Sequence, residues 1–374
     1  MNVWRVRKDV RIAPWDDPVG DVRVLGVPLA ERQERVLHAL GLRFAGEVDE
    51  PGTDGLYWDA DVDVSLPAMR AFLKGPPGRM ALVERPPRKG DLEVEEVGPV
   101  HDGFPTRLVG VCTGEAPAVV PPRGFAGVAR MPGPFRAEVP WYLTARTAVT
   151  IRHWTHVLRA NLCALAAEVD AEVLRKPWRA LWALLRHGAR WSAVGKGAKV
   201  HPTARLEGCV VGEGAEIGAF TVLRGCVVGA GAVVEDHVTA KGSVIDPGAH
   251  LGNYCLFNLC VVGERSSISH IGAQGSVIGR DSFLATFATP QDLNLTGNVR
   301  VAWDGRLVDT GGPFCGCAIG HRVRLGANVT LAAGRSVPND VTIVGDPRQL
   351  LSRVPAELEA GVYGVEESGL KRLK

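Results

Sequence analysis

The sequence predicts a two-part molecule, an α/β N-terminal domain followed by a parallel β-helix of short triangular coils. Three observations carry this. The chain has 374 residues, past the roughly 250–300 at which one hydrophobic core stops growing. Glycine is abundant at 45 residues while aromatics are only 6%, which suits turn-dense β structure around small side chains. From Val194 the chain also divides into units of 17 residues, starting at Val194, Val211, Val228, Ile245 and Val262, and a fixed period of this kind decides architecture.

Within each unit apolar residues recur six apart, the third step being shortened to five: Val194, Val200, Leu206; Val211, Ile217, Leu223; Val228, Val234, Ala240; Ile245, Leu251, Phe257. This spacing is neither helical nor a simple strand alternation. Three short strands per coil fit it, each turning one apolar residue inward, with Gly, Asp and Asn at corners where a positive φ is cheap. Coils stack ~4.8 Å apart, so residues 17 apart touch. Cys209, Cys226, Ser243 and Cys260 then form one ladder of small side chains with no redox or metal role.

The pattern breaks near His270, resumes at Ile278 and Leu284, is interrupted over 291–317, and returns at Ile319, Leu325, Leu331, Val337 and Ile343. An excursion of this length from a regular solenoid usually carries function or a subunit contact. The search for a site starts there. Residues 346–374 are expected to form a helical tail.

Residues 1–150 alternate short apolar runs with Pro/Gly/Asp turns, as in VRVLGVPL and GLYWDADVDVS, which suits an α/β domain with a largely parallel sheet. PLAERQERVLHALG reads as a helix whose apolar face carries Leu29, Val36, Leu37 and Leu40. Residues 151–191 form a helical connector divided at Pro177. Its second piece sets Trp178, Leu181, Trp182 and Leu185 against Arg179, Arg186 and Arg190. Such a helix either packs between the domains and caps the first coil or lies on a membrane surface.

Composition excludes several classes. Lys plus Arg is 43 against 41 Asp plus Glu, a net charge of +2, so no global field draws nucleic acid. No apolar stretch reaches the ~18 residues of a membrane span, and MNVWRVRKDVRIAPWDD lacks a signal-peptide core. Eight cysteines are too sparse for a disulfide scaffold. A soluble cytoplasmic protein is expected.

The N-terminal half resembles a trimmed sugar-phosphate nucleotidyltransferase domain. VRVLGVPLAERQERVLHALGLR has that family's strand–proline–helix rhythm, LYWDADVDVS its strand ending in a metal-binding Asp, and Arg159–Ala160–Asn161 its closing triplet. The resemblance implies magnesium at Asp61. It also shows departures: RIAPWDDPVGD lacks the glycines and arginine of the triphosphate loop, Val27 replaces a Lys, and Thr150 stands where a second Asp falls. The acidic DADVD is otherwise a strand-end turn with solvated carboxylates.

The solenoid resembles the hexapeptide-repeat left-handed β-helix family, mostly trimeric acyltransferases and nucleotide-sugar enzymes. Its left hand and a homotrimer are implied by that resemblance alone, since parallel crossovers are generally right-handed. SISHIGAQGSVIG is similar to the acetyltransferase half of the bifunctional N-acetylglucosamine-1-phosphate uridylyltransferase/glucosamine-1-phosphate acetyltransferase family. The match places His270 at its catalytic His and Asp292, or Asn294, at its Asn, but puts Ala273 or Gln274 where Tyr is expected and Gly275–Ser276 at its Gly-Asp. Asp309 to Gly316 resembles the D-T-G-x-x-F-C-G signature of a divergent branch of that family.

The resemblance implies acetyl transfer from acetyl-CoA to an amino-sugar phosphate, sugar-1-phosphate nucleotidyl transfer by the N-terminal domain, or both. His suits a base near neutral pH, and corner N–H groups suit an oxyanion. Arg322, Arg324, Arg335 and Arg348 are candidates for the coenzyme A phosphates. The alternative is a non-catalytic trimer that binds a nucleotide sugar or scaffolds partners. Cys315 and Cys317 form a C-x-C without a second pair, a tight turn more than a zinc site.

Overall fold

From Ala193 to Ile343 the chain winds as a parallel β-solenoid with three faces. The computed structural model describes residues 2–50, 55–74, 79–83, 106–112, 117–120, 124–130, 138–144, 147–346, 360, 362–366 and 369–373. The first face runs from Ala193–Val194 to Ser336–Val337 and the second from Lys199–Val200 to Thr342–Ile343. The third runs from Arg205–Glu207 to Gly272–Gln274, and Thr289–Pro290 pairs with Thr330–Leu331 beyond the break.

The register is the one the repeat dictates, with Val194 on Val211, Val228, Ile245 and Val262 in turn. One coil is a residue short. Ser267 still pairs 17 residues from His250, whereas Gly272 pairs 16 residues from Leu256, so the missing residue belongs to the corner that holds His270. The Cys/Ser ladder is as expected: Cys209, Cys226, Ser243 and Cys260 are buried. Ser243 Oγ accepts from the Cys260 N–H and Ser276 Oγ from the Cys317 N–H. Burial pushes the Cys260 thiol up to about 12, which leaves it inert.

The outward residues of the first face are also apolar, and Val244, Val261, Val277 and Ala318 are buried. The N-terminal part covers them. Ile12, Trp15, Val22, Val24 and Leu29 share their cluster with Trp154 and Val157 of a long helix. VRVLGVPL is therefore not one strand. Arg23–Val24 and Val27–Pro28 form a hairpin across Leu25 and Gly26, both at positive φ, the pair of conformations a two-residue turn needs. The hairpin leads directly into α1, Leu29–His38, which buries Leu29 and Leu37 as its periodicity predicts.

A second helix, α2, spans Leu66–Leu73 with Ser65 Oγ accepting from the Ala68 N–H at its start. The N-terminal sheet is mixed, with three of its five pairings parallel and two antiparallel. Val3–Val6 lies parallel to Phe44–Val48 and Leu56–Asp59, but Thr106–Cys112 runs antiparallel to both its neighbours.

The connector comprises α3, Trp154–Val169, and α4, Pro177–His187, whose last turn ends at Gly188 in the left-handed region. Asn161, in the triplet of α3, is buried, and pins the hairpin. Its Oδ1 accepts from the Leu25 N–H, and its Nδ2 donates to the Arg23 and Val157 carbonyls. Helix α4 caps the solenoid through Ala183, which packs with Val194 and Leu206.

The 291–317 excursion leaves at the corner between the third and first faces and folds back on the connector. Its hairpin, Arg300–Trp303 with Arg306–Asp309, buries Val301 in the first-face cluster and stacks Trp303 on His153. Glycine is required at Gly316, where a Cβ would lie 2.3 Å from the Gln274 carbonyl. The D-T-G-x-x-F-C-G segment is thus a tight return into the next coil. In the expected helical tail, Tyr363–Glu366 and Gly369–Arg372 instead pair as antiparallel strands, consistent with glycines that disfavour a helix there. Residues 347–359 lie outside the described residues.

Replacing Asn161 with Ala removes three hydrogen bonds of a buried side chain and is expected to cost about 2–4 kcal/mol. Urea unfolding checks it, and a change within about 0.5 kcal/mol, the range of an ordinary surface substitution, would show that the hairpin holds without it.

Candidate functional site at the second corner

Most corners of the solenoid carry one left-handed residue per coil. The first corner meets this with glycine in its first four coils, as at Gly197 and Gly214, and then with Arg265, Asp281, Arg322 and Asp340, while the third meets it mostly with glycine, as at Gly208 and Gly225. The corner between the second and third faces does not. Phe220, His237, Tyr254 and Phe287 all sit there at φ 56–61°. For bulky L-residues that conformation costs roughly 1–2 kcal/mol each, and strain of this kind concentrates at functional sites.

These rings form an exposed ladder. Phe220, His237 and Tyr254 lie flat on one another, with centroids 5.2 and 4.9 Å apart and planes within 14°. His270 breaks the stack. It is tilted 47° from Tyr254 and 75° from Phe287, and it is not among the left-handed residues, because its corner is one residue short. The sequence break is therefore visible as a turned ring.

Beside the ladder, on the second face, three polar side chains line up. Glu235 Oε1 meets His250 Nε2 at 2.8 Å, and His250 Nδ1 meets Ser267 Oγ at 3.2 Å. The carboxylate is itself fixed, because Glu235 Oε2 accepts from the Asn253 N–H. If Nε2–H donates to Glu235, Nδ1 is the acceptor for the Ser267 hydroxyl, which is the order of a carboxylate–imidazole–hydroxyl relay. Both His250 and Glu235 are only partly buried, so the line is open to a ligand. The inward-looking repeat pattern missed these residues. The available signal was that Ser267 follows His250 by 17, one coil, on an outward row.

The predicted residues do not converge. His270 lies at the second corner. Asp292 lies at the third, where its carbonyl accepts from the Cys315 N–H and burial raises its carboxyl. Arg322 sits at the first corner in a two-pronged pair with Asp340. Arg335 lies at the third corner and donates to the Arg300 carbonyl. Only Arg324 shares a row with the relay, in the register His250, Ser267, Phe283, Arg324. Arg348 lies outside the described residues.

Asp61 is buried in the turn after Leu56–Asp59, its Oδ2 on Arg152 Nε at 3.0 Å. Asp63 holds Arg32 with both oxygens, and Asp59 faces Lys8. Asp59 is pushed up to about 6 chiefly by burial. Each carboxylate of DADVD thus has a protein cation, although Asp61 Oδ1 is buried without a partner, and among the described residues no group of three ligating side chains could hold a metal, so the donor set is too small for a magnesium ion.

A second polar group lies in the seam between the N-terminal hairpins and the first face. Arg280 grips Asp17 at 3.1 and 3.2 Å, and His321 Nε2 meets Asp17 Oδ2 at 2.8 Å. Arg23 meets Glu264 at 2.6 Å. These pairs rim a small cleft of about 40 Å³ walled by Trp15, Val157, Val261 and Val277. Asp246 opens into it. It stands where six of the other coils carry Gly195, Gly212, Gly229, Gly263, Gly279 and Gly320, and its Oδ1 is buried without a partner.

No protein-family model and no curated protein matches the chain. Among solved structures, it is similar to a hexapeptide transferase family protein from Anaplasma phagocytophilum, at 17% identity over 44% of this chain and 80% of that one, TM-score 0.25. It is also similar to PerB from Caulobacter crescentus, solved with CoA and GDP-perosamine, at 21% identity over 41% of this chain, TM-score 0.14. The chain spans 54% of that protein's length. The polysialic-acid-specific acetyltransferase NeuO is 12% identical over 41% of this chain and 78% of its own, TM-score 0.16. With TM-scores this low, the similarities assign this chain no activity.

Burial pushes the Asp246 carboxyl up to about 7, with Arg23 offsetting part of the rise. An unfolded Asp titrates near ~3.9, so between these values the folded state holds the extra proton. Stability is therefore expected to fall as pH rises from about 4 to about 7 and to level off above. Asp246→Asn should flatten this part of the profile and be the more stable protein at pH ~8. Parallel pH–stability curves for the two proteins would defeat this account of the seam.

Proposed function

We propose that the chain is an acyltransferase acting on a nucleotide sugar or sugar phosphate at the second corner of a left-handed hexapeptide-repeat solenoid. The observation that carries this is the line Glu235–His250–Ser267 beside an exposed, strained ladder of rings. Support also comes from the repeat itself, through its resemblance to a family of acyltransferases.

Acetyl-CoA, the donor that resemblance implies, supplies an activated acyl group. The chain's own part is proton movement and positioning. His250 Nδ1 takes the Ser267 O–H proton as Ser267 Oγ takes one from the acceptor's amine or hydroxyl. The acceptor then bonds to the acyl carbon, the C–S bond breaks, and the relay returns its proton to the departing thiolate. Glu235 steadies the imidazolium formed in between. Tyr254 and His270, tilted apart, offer ring surface to a sugar or base. Arg324, two coils along the same row from Ser267, is ~10 Å away by the coil spacing and suits a donor phosphate. Nucleotidyl transfer finds no support, since DADVD is occupied by cations.

Thiol release from acetyl-CoA, measured against a panel of amino-sugar phosphates and nucleotide sugars, tests the reading. His250→Gln and Glu235→Gln are expected to lower kcat by ~10²-fold or more. Ser267→Ala should fall between these and the wild type, while Tyr254→Asn raises KM and leaves the melting temperature unchanged. Loss of activity in His270→Gln but not His250→Gln would move the base to His270. No turnover with any acceptor, together with no thermal shift from acetyl-CoA, would favour the non-catalytic scaffold.

A further inference from the structure

Helix α4 presents its apolar stripe to solvent. Trp178, Leu181, Trp182 and Leu185 recur at the spacing of one helix face, and they are 45–78% exposed. Capping the first coil does not use them, because Ala183, on the opposite side, makes that contact. Trp191, just beyond the helix, is 71% exposed as well.

The charge around this stripe is positive in excess, although Lys176 and Arg179 pair with Glu172 and Lys199 with Glu216. From Val173 to Leu206 the sequence has eight Lys or Arg and no Asp or Glu, in a chain whose net charge is only +2. Arg175, Arg186, Arg190, Lys196 and Lys199 are all exposed. A second copy docked through the same patch would bring like charges together, and an isologous contact cannot avoid this. An anionic surface meets no such penalty. Indole rings favour the headgroup level of a bilayer, and long cationic side chains reach the lipid phosphates while their stems stay on apolar surface.

We propose that α4 and the segment to Lys199 form a peripheral membrane-binding surface whose partner is a bilayer rich in anionic lipid. The helix lies in the interface with its Trp/Leu stripe among the upper acyl chains and its cations on the headgroups. The assignment is independent of the acyltransferase reading. No helix among the described residues is long and apolar enough to cross a membrane, so attachment is lateral.

The test uses the full chain and sucrose-loaded vesicles, either phosphatidylcholine alone or a mixture with phosphatidylglycerol. The expected result is co-sedimentation with the anionic vesicles only, reversed by salt, with a blue shift of tryptophan emission. Leu181→Gln with Leu185→Gln should abolish binding. Neutralising Arg186 and Arg190 should weaken partitioning about fivefold for each cation removed, while Arg→Lys at both positions restores it. Absence of binding to anionic vesicles by the wild-type chain overturns the proposal, whatever the variants do. Equal binding to both vesicle types overturns the electrostatic part. A wild-type oligomer that Leu185→Gln dissociates, without vesicle binding in either form, gives the surface to a second copy and also overturns it.

Discussion

The backbone hydrogen bonds between coils dictate the position of everything else in this molecule. They run from the Ala193 N–H to the Cys209 carbonyl, from Val210 to Cys226, from Val227 to Ser243 and from Val244 to Cys260. Because each coil pairs in parallel with the next, a residue's neighbours lie one period away in sequence, and side chains fall into rows. Each row meets one environment along its length, so its chemistry becomes uniform: thiols and hydroxyls inside the third corner, valines on the first face, rings on the second corner. A departure from the row is then informative by itself. Asp246 in a row of glycines, and His270 turned in a row of stacked rings, are both departures of this kind.

The valine row on the first face explains the rest of the architecture. An apolar face needs a cover, and four segments distant in sequence supply it: residues 12–19, the 23–28 hairpin, α3, and the hairpin of the 291–317 excursion. The polar pairs at their edges, Asp17 with Arg280 and Arg23 with Glu264, sit where this cover meets the first corner. They are partly buried, and a pair of that sort fixes orientation more than it adds stability. Covering the first face also leaves the second and third faces, and the corner between them, open to ligand.

The repeat was legible in the sequence because inward positions are spaced regularly and must be apolar. Val194 to Phe257, the Cys/Ser ladder and the amphipathic α1 all follow from burial alone. The site was less legible, for a geometric reason. Glu235 and His250 are 15 residues apart, and His250 and Ser267 are 17, so the group exists only once the outward rows are stacked. The excursion attracted attention as a break in pattern, but its apolar residues, Val301 and Trp303, were available to cover a face. Arg322, Arg324 and Arg335 were near one another in sequence, yet a triangular coil sends residues a few positions apart to different faces and corners. In VRVLGVPL the apolar run hid a turn that needs positive φ at Leu25 as well as Gly26. DADVD kept the acidic pattern of a metal site, while Lys8, Arg32 and Arg152 came from distant segments to neutralise it.

The two open surfaces also stand in a fixed relation along the solenoid. Helix α4 closes the first coil, and His250 lies in the fourth, three steps along the stack. At ~4.8 Å per step the relay is ~14 Å along the axis from the capped end. With the bilayer plane across the capped end, Glu235, His250 and Ser267 would stand in water beyond the headgroups. An acceptor carried on a long lipid-linked phosphate could span that gap, and so could a soluble nucleotide sugar diffusing near the surface. The two differ in one respect: only the lipid-linked acceptor has its local concentration raised by the attachment. Membrane binding through α4 would then act on KM for that acceptor alone, while the chemistry proposed for His250, set by its bonds to Glu235 and Ser267, would stay the same on or off the membrane.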